Sequence, residues 1–196
     1  MLIEDGTGSS IAAKVDSLNR VYVNAIEQNV ANFHNVDGDR YNINTDDITL
    51  TSGSESVLLY IKNNDTRELV VDAFVQILGA STGGSGNLKS YIYRNPTGGT
   101  IISDANTTSI ISNLNYGSSN TLTADIYTGG EGKTQTGGAK SLTSILTPPT
   151  TNVVSVGDII LPKGSSFAVS IIPQSGNTSM LVHMAALVFS KNSAFA

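Results

Sequence analysis

The chain has 196 residues, a formal net charge of −5, 14% charged residues and neither Cys nor Trp. Ser, Thr and Asn supply 62 residues, so polarity comes from small uncharged side chains, a composition suited to β-sheets and turns. The acidic balance argues against nucleic acid as a partner, and the missing thiols exclude cysteine nucleophiles and thiolate metal centres. The length fits one domain with a real core.

The start, MLIEDGTGSS, has neither a basic nor an apolar leader region, so no signal peptide is expected. No apolar run approaches the ~20 residues of a membrane span, which removes a membrane partner from the expectation. Residues 11–26 read as one short ribbon, with Val21, Val23 and Ala25 on one face. The alternative is a short helix over Val23–Asn35 with a thin stripe of Ile26, Val30 and Phe33. Both carry little apolar area, so residues 1–45 are read as an N-terminal arm that needs another surface, and residues 46–196 as the folded domain.

From Tyr41 onward, short strands alternate with turn chemistry, as in a sandwich or jelly roll. Ile48–Thr51 and Glu55–Asn63 come first, then the turn Asn63–Thr66. Arg67–Ala80 alternates, and Val71, Ala73, Val75 and Ile77 are expected to face the core. A Gly/Ser loop at 81–86 precedes the strand Leu88–Tyr93, the turn Pro96–Gly99 and a short segment Thr100–Ser103. Residues 104–120 form a polar excursion with Ile110, Ile111 and Leu114 as an apolar patch, before a strand over Thr121–Tyr127. The Gly-rich stretch 128–138 reads as a mobile loop. Val153–Val156, Ile159–Leu161, Phe167–Ile172 and Thr178–Ser190 close the chain as antiparallel strands. The fold class is therefore all-β, an antiparallel sandwich of jelly-roll type with an extended N-terminal arm.

Chemistry-bearing motifs are sparse. Gly130-Glu131-Gly132-Lys133-Thr134 ends like a phosphate-binding loop, but Tyr127 stands where the first Gly belongs and no helix follows. His183 lies in an apolar strand and reads as a core or interface histidine; His34 has no nucleophile at a recognisable spacing. Asp37, Asp39, Asp46 and Asp47 form the one acidic cluster; turn chemistry is the reading, and calcium the question it leaves. Tyr91, Tyr93 and Tyr127 are strand residues with one wet end rather than a glycan platform. The sequons at Asn64, Asn106 and Asn177 mean little without a leader. No paired carboxylates mark a glycosidase, so no catalytic residue, metal or cofactor is assigned.

Several segments together resemble a known group: Asp5-Gly6-Thr7-Gly8, Ala13-Lys14-Val15-Asp16-Ser17 with Asn19-Arg20, Tyr60-Ile61-Lys62-Asn63, Arg94-Asn95-Pro96-Thr97-Gly98-Gly99-Thr100, Gly129–Gly132, Leu161-Pro162-Lys163-Gly164 and Gly176-Asn177-Thr178-Ser179. Over nearly the whole chain they resemble virion structural proteins of tailed bacteriophages. The resemblance implies a β-sandwich on the virion, assembled in the host cytoplasm, and no enzyme. The expected role is a capsid decoration or cement protein on the head surface, a homo-oligomer (a trimer is expected) bound to the major capsid protein. Lys14, Val15, Arg20, Val21 and Val23 are the expected anchoring residues of the arm. A head-fibre or tail adhesin contacting the host is the alternative.

Overall fold

The computed structural model describes residues 30–51, 53–78, 87–104, 110–154, 159–173 and 180–191. Contacts divide the chain into residues 1–30 and a compact unit of residues 31–196. The elements are α1 (Val30–Asp37), β1 (Arg40–Asn44), β2 (Ile48–Leu50), β3 (Ser56–Asn63), β4 (Glu68–Leu78), β5 (Leu88–Arg94), α2 (Thr100–Ser103), β6 (Ile110–Asn113), β7 (Ala124–Thr128), β8 (Ala139–Leu146), β9 (Thr150–Val154), β10 (Ile159–Leu161), β11 (Ser166–Pro173) and β12 (Met180–Lys191).

These strands make an all-β sandwich of two antiparallel sheets. One runs β10-β4-β12-β1-β6, with β2 also on β12 and β9 also on β4; the other runs β7-β3-β11-β5-β8. They are called here the β12 sheet and the β11 sheet, after their central strands. Arg40–Asn44, read from sequence as the end of the arm, is a paired strand between β12 and β6, so these residues belong to the sandwich.

The core fills the space between the sheets. Val182, Met184, Ala186 and Val188 of β12 and Tyr41 and Ile43 of β1 meet Phe167, Val169 and Ile171 of β11 and Leu59 and Ile61 of β3. One polar pair crosses this core: Gln76 Nε2 donates to Ser90 Oγ at 2.6 Å, from β4 to β5, and both residues are buried. Satisfying a buried amide across the layers fixes how the sheets stack.

The expected buried face of β4 holds only in part. Register with β12 shifts between Leu187/Val188, where Val71 and Ala73 are successive partners and Asp72 is passed over. This β-bulge reverses the alternation. Leu69 and Val71 face inward before it, Phe74, Gln76 and Leu78 after it, and Ile77 stands 43% exposed. The bulged Asp72 accepts from Arg40 Nη2 at 2.6 Å.

The Gly-rich stretch after β7 is an ordered strap, not a loose loop. Gly129 N–H donates to Leu58 O at 2.8 Å and Gly130 N–H to Val57 O at 3.1 Å, while Val57 N–H returns a bond to Lys133 O at 2.8 Å. Farther along, Ile101 N–H donates to Thr134 O at 3.0 Å. Thr100–Ser103, read from sequence only as a short segment, is the single turn α2. Strap and α2 flank a second small core of Val57, Tyr60, Ile101 and Ala168 on the outer face of the β11 sheet. Burying these side chains gives the strap its hydrophobic reward, and the glycines let it approach closely enough to collect it.

A Cβ at Gly129 would lie 1.6 Å from Val57 O, so only Gly fits there. Gly129→Ala is expected to cost at least about 2 kcal/mol of stability, read as a lowered urea midpoint at unchanged slope. A loss below ~0.5 kcal/mol would show that the strap can lift from β3 at little cost.

Candidate functional site

The described residues offer two places with recognition chemistry: the end of the sandwich capped by α1, and a cleft along one edge.

α1 has the sequence VANFHNVD and stops because Gly38 takes φ 73, which closes the helix with Gly38 N–H to Asn35 O at 3.2 Å and Asp39 N–H to His34 O at 2.9 Å. Its last carbonyls would otherwise be orphaned. Three asparagines from β6 and the loop after it satisfy them. Asn115 Nδ2 donates to Val36 O at 2.9 Å, Asn120 Nδ2 to Asp37 O at 3.1 Å and Asn113 Nδ2 to Gly38 O at 2.7 Å. Underneath, the buried His34 ring stacks on Phe189 of β12, with centroids 4.4 Å apart. The polar excursion at 104–120 thus supplies a clamp.

Charges beside the clamp are paired. Arg67 bridges Asp39 at 2.9 Å and Asp65 at 3.0 Å. Burial opposes ionisation of Asp65, yet hydrogen bonds from the Arg67 backbone and guanidinium outweigh it and hold this carboxyl below its usual range. Burial pushes the Tyr41 phenol up, and Asp39 adds to the shift. Burial also lowers His34, against the opposing pull of Asp39 and Asp37. On the outer side, large apolar groups stand in water: Phe33 is 47% exposed, Val36 69% and Tyr116 91%. Exposed apolar groups beside a rigid clamp are features of a contact surface.

The cleft, of about 360 Å³, lies between β10 and the β5–β8 side of the other sheet. Ile92, Leu161 and Phe167 give it apolar walls, with Arg94, Asn95 and Ser141 as polar lining; no carboxylate of the described residues lines it. That volume is within the range of small-ligand pockets.

The residues singled out from sequence fall as follows. Lys14, Val15, Arg20, Val21 and Val23 lie outside the described residues. The acidic cluster separates: Asp37 and Asp39 precede the five-residue β1 and Asp46 and Asp47 follow it, roughly 16 Å of strand apart. Among the described residues no group of three or more His, Asp or Glu could hold a metal ion. His183 is half-buried on the outer side of β12, its Nδ1 3.4 Å from Asp47 Oδ1. Lys133 pairs with Asp104 and Thr134 N–H donates to Thr100 Oγ1 at 2.8 Å, so the phosphate-loop lookalike is engaged in closing the strap. Tyr93 OH donates to Glu55 Oε1 at 2.8 Å, Tyr127 stacks on Tyr60 at 5.5 Å, and Lys140 Nζ sits 3.4 Å above the Tyr91 ring. Burial and Glu55 drive the Tyr93 phenol far above its ordinary value. Asn64 of the first sequon donates to Asp125 Oδ1 at 2.6 Å; Asn106 and Asn177 lie outside the described residues. Sequence reasoning missed the three-asparagine clamp, whose only mark is the density of Asn over 113–120.

No family model matches the chain, and no curated protein matches it. Among the described residues no helix is long and apolar enough to cross a membrane.

His34 gives the clamp a pH dependence of definite sign. Its folded value lies below the ordinary imidazole value of 6.5, so the unfolded chain takes up the proton first. Stability is therefore full above 6.5 and falls as pH drops through that value toward the folded one. Asp65, with a depressed folded value, adds a further loss as pH falls below the ordinary carboxylate range. Melting temperature should decline from pH 7.5 to 5.5 in the native chain and decline less in His34→Phe, which keeps the stack on Phe189. Equal slopes in the two proteins would contradict the desolvated histidine.

Proposed function

We propose that this chain is a structural protein of tailed-bacteriophage particles, a decoration or cement protein on the head surface. Its sandwich is a jelly roll, its partners are the major capsid protein and further copies of itself, most simply as a trimer, and it performs no catalysis.

Strand order supports the jelly-roll reading. With β6 and β7 set aside as an insertion between β5 and β8, the sheets read β1-β12-β4-β9/β10 and β3-β11-β5-β8. Two Greek keys wound together give this order, and the insertion adds one strand beside β1 and one beside β3.

The observation that carries the attachment reading is the asparagine clamp on α1. It ties the C-terminal end of α1 to the sandwich, beside the exposed Phe33, Val36 and Tyr116. A segment rooted on a rigid base loses less freedom on binding than one hung from a loose linker. The low charge suits close packing of many copies, since neutral polar surfaces meet without long-range repulsion. The cleft lined by Tyr93, Arg94 and Asn95 favours the second reading, a head-fibre or tail adhesin with a small ligand of the host surface.

Deleting residues 1–29 is expected to abolish binding to heads stripped of this protein while the sandwich keeps its β-type circular dichroism and cooperative melt. Retained binding would remove the attachment role. Hundreds of copies spread over the intact shell are expected by particle mass analysis, and a handful at one vertex would favour the adhesin.

A further inference from the structure

Sheet edges present unpaired backbone N–H and C=O groups, and proteins blunt them with charges, prolines, bulges or very short strands. Among the described edges, β6 has four residues, β7 five with the charged Asp125, and β9 and β10 five and three. β8 is different. It has eight residues and, among the described residues, pairs with β5 alone. Its bulge lies at the start, where the register shifts between Ile92/Tyr93, leaving Leu142–Leu146 regular. Those five residues hold no charge and no proline. Leu142 is 36% exposed and Ile145 66%. Lys140, the strand's one charge, precedes them and is drawn over the Tyr91 ring.

We propose that β8 pairs antiparallel with β8 of a second copy, one belonging to a neighbouring trimer, about a two-fold axis through Ser144, joining two β11 sheets into one. The inference rests on the reading of the chain as a self-associating structural protein and names the surface. A two-fold axis normal to the sheet keeps inward residues opposite inward residues, so it must pass through a residue position. Leu142, Ser144 and Leu146 share the inward face, opposite Ile92, Ser90 and Leu88 of β5. Centring on Ser144 sets Leu142 opposite Leu146 in both halves and Ser144 opposite its own copy. Centring on Thr143 would set Leu142 against Ser144 and carry Leu146 to the irregular start of the strand. The register centred on Ser144 therefore matches apolar with apolar and brings no like charges together, the pairing that stabilises antiparallel sheets. A chain of net charge −5 meets its copy along an edge segment free of charge.

The absence of Cys makes a direct test available. Directly opposite residues in an antiparallel pair hold their Cβ atoms about 4.5–5.5 Å apart, close to disulfide range. Full-length Ser144→Cys, mildly oxidised in the absence of heads, is expected to give a disulfide-linked pair of chains about tenfold faster than Thr121→Cys, an exposed position outside the strands. Adding Leu142→Lys, which sets an ammonium opposite Leu146, should return S144C to the control rate. Linkage of S144C no faster than the control overturns the pairing. Control-rate linkage with slow exchange of those 142–146 amides that point away from β5 also overturns it, and identifies another strand as the occupant. Because no head is present, loss of this contact leaves the role of residues 1–29 standing, and failure of the deletion experiment leaves this contact standing.

Discussion

The β12 sheet depends on the register of a single strand. β12 has twelve residues and pairs with β4 along ten of them, while β1 and β2 follow each other along its opposite side. A one-residue slip in such a pairing turns every inward side chain outward. The bulge at Asp72 takes up one residue inside β4, so that Val71 before it and Phe74 after it both reach the core. It also sets Ala186 between Phe74 on one side and Ile43 on the other. A small residue flanked by two large ones lets their side chains fill the layer without overlap. A larger side chain at 186 would press on both neighbouring strands at once.

The charge deficit acquires a structural meaning from the amides. Asn63 is 1% exposed, and its Nδ2 donates to Arg67 O and Leu161 O, both at 2.8 Å, while its Oδ1 accepts from Asp65 N–H at 2.9 Å. This one side chain ties the β3–β4 turn to β10. The clamp on α1 works the same way, with neutral amides closing backbone carbonyls. A charged group at position 63 would lose hydration that these bonds only partly replace, whereas an amide with both donors used is buried at small cost. Asn, Ser and Thr therefore serve as internal fasteners between elements, in addition to solvating turns.

Strands with apolar residues on both faces, or with firm turn chemistry at their ends, were readable in the sequence. Ile159–Leu161 matches β10 residue for residue, and Glu55–Asn63, Leu88–Tyr93, Phe167–Ile172 and Thr178–Ser190 lie within two residues of β3, β5, β11 and β12. β8 gave no such signal, because its sequence AKSLTSIL places apolar residues at irregular intervals around a bulge and half of an edge strand faces water. The face of β4 was legible up to Asp72 and reversed beyond it, since a bulge leaves no trace in composition. β1 was hidden by the polar residues around it: RYNIN alternates, but only its neighbours in space make it a central strand. The acidic cluster failed for the opposite reason, as closeness in sequence across a five-residue strand is distance in space. The clamp could not be read because each asparagine finds its carbonyl more than 70 positions away.

The two sheets use their surplus chain differently, and this bears on how a shell protein could hold on. In the β11 sheet the strap and α2 cover the second core on the outer side, which leaves the β8 edge as the open part. In the β12 sheet α1 caps Phe189 and presents Phe33 and Val36 outward. The proposed attachment through the α1 end and the proposed lateral pairing through β8 would therefore draw on elements of different sheets, and neither contact would consume residues the other needs. Two modest contacts made together hold a copy far better than either alone, because once one is made the other closes at high effective concentration. A cement protein built this way needs no single strong interface. A neutral surface then becomes an advantage, since neighbouring copies approach without the repulsion that a densely charged acidic chain would impose.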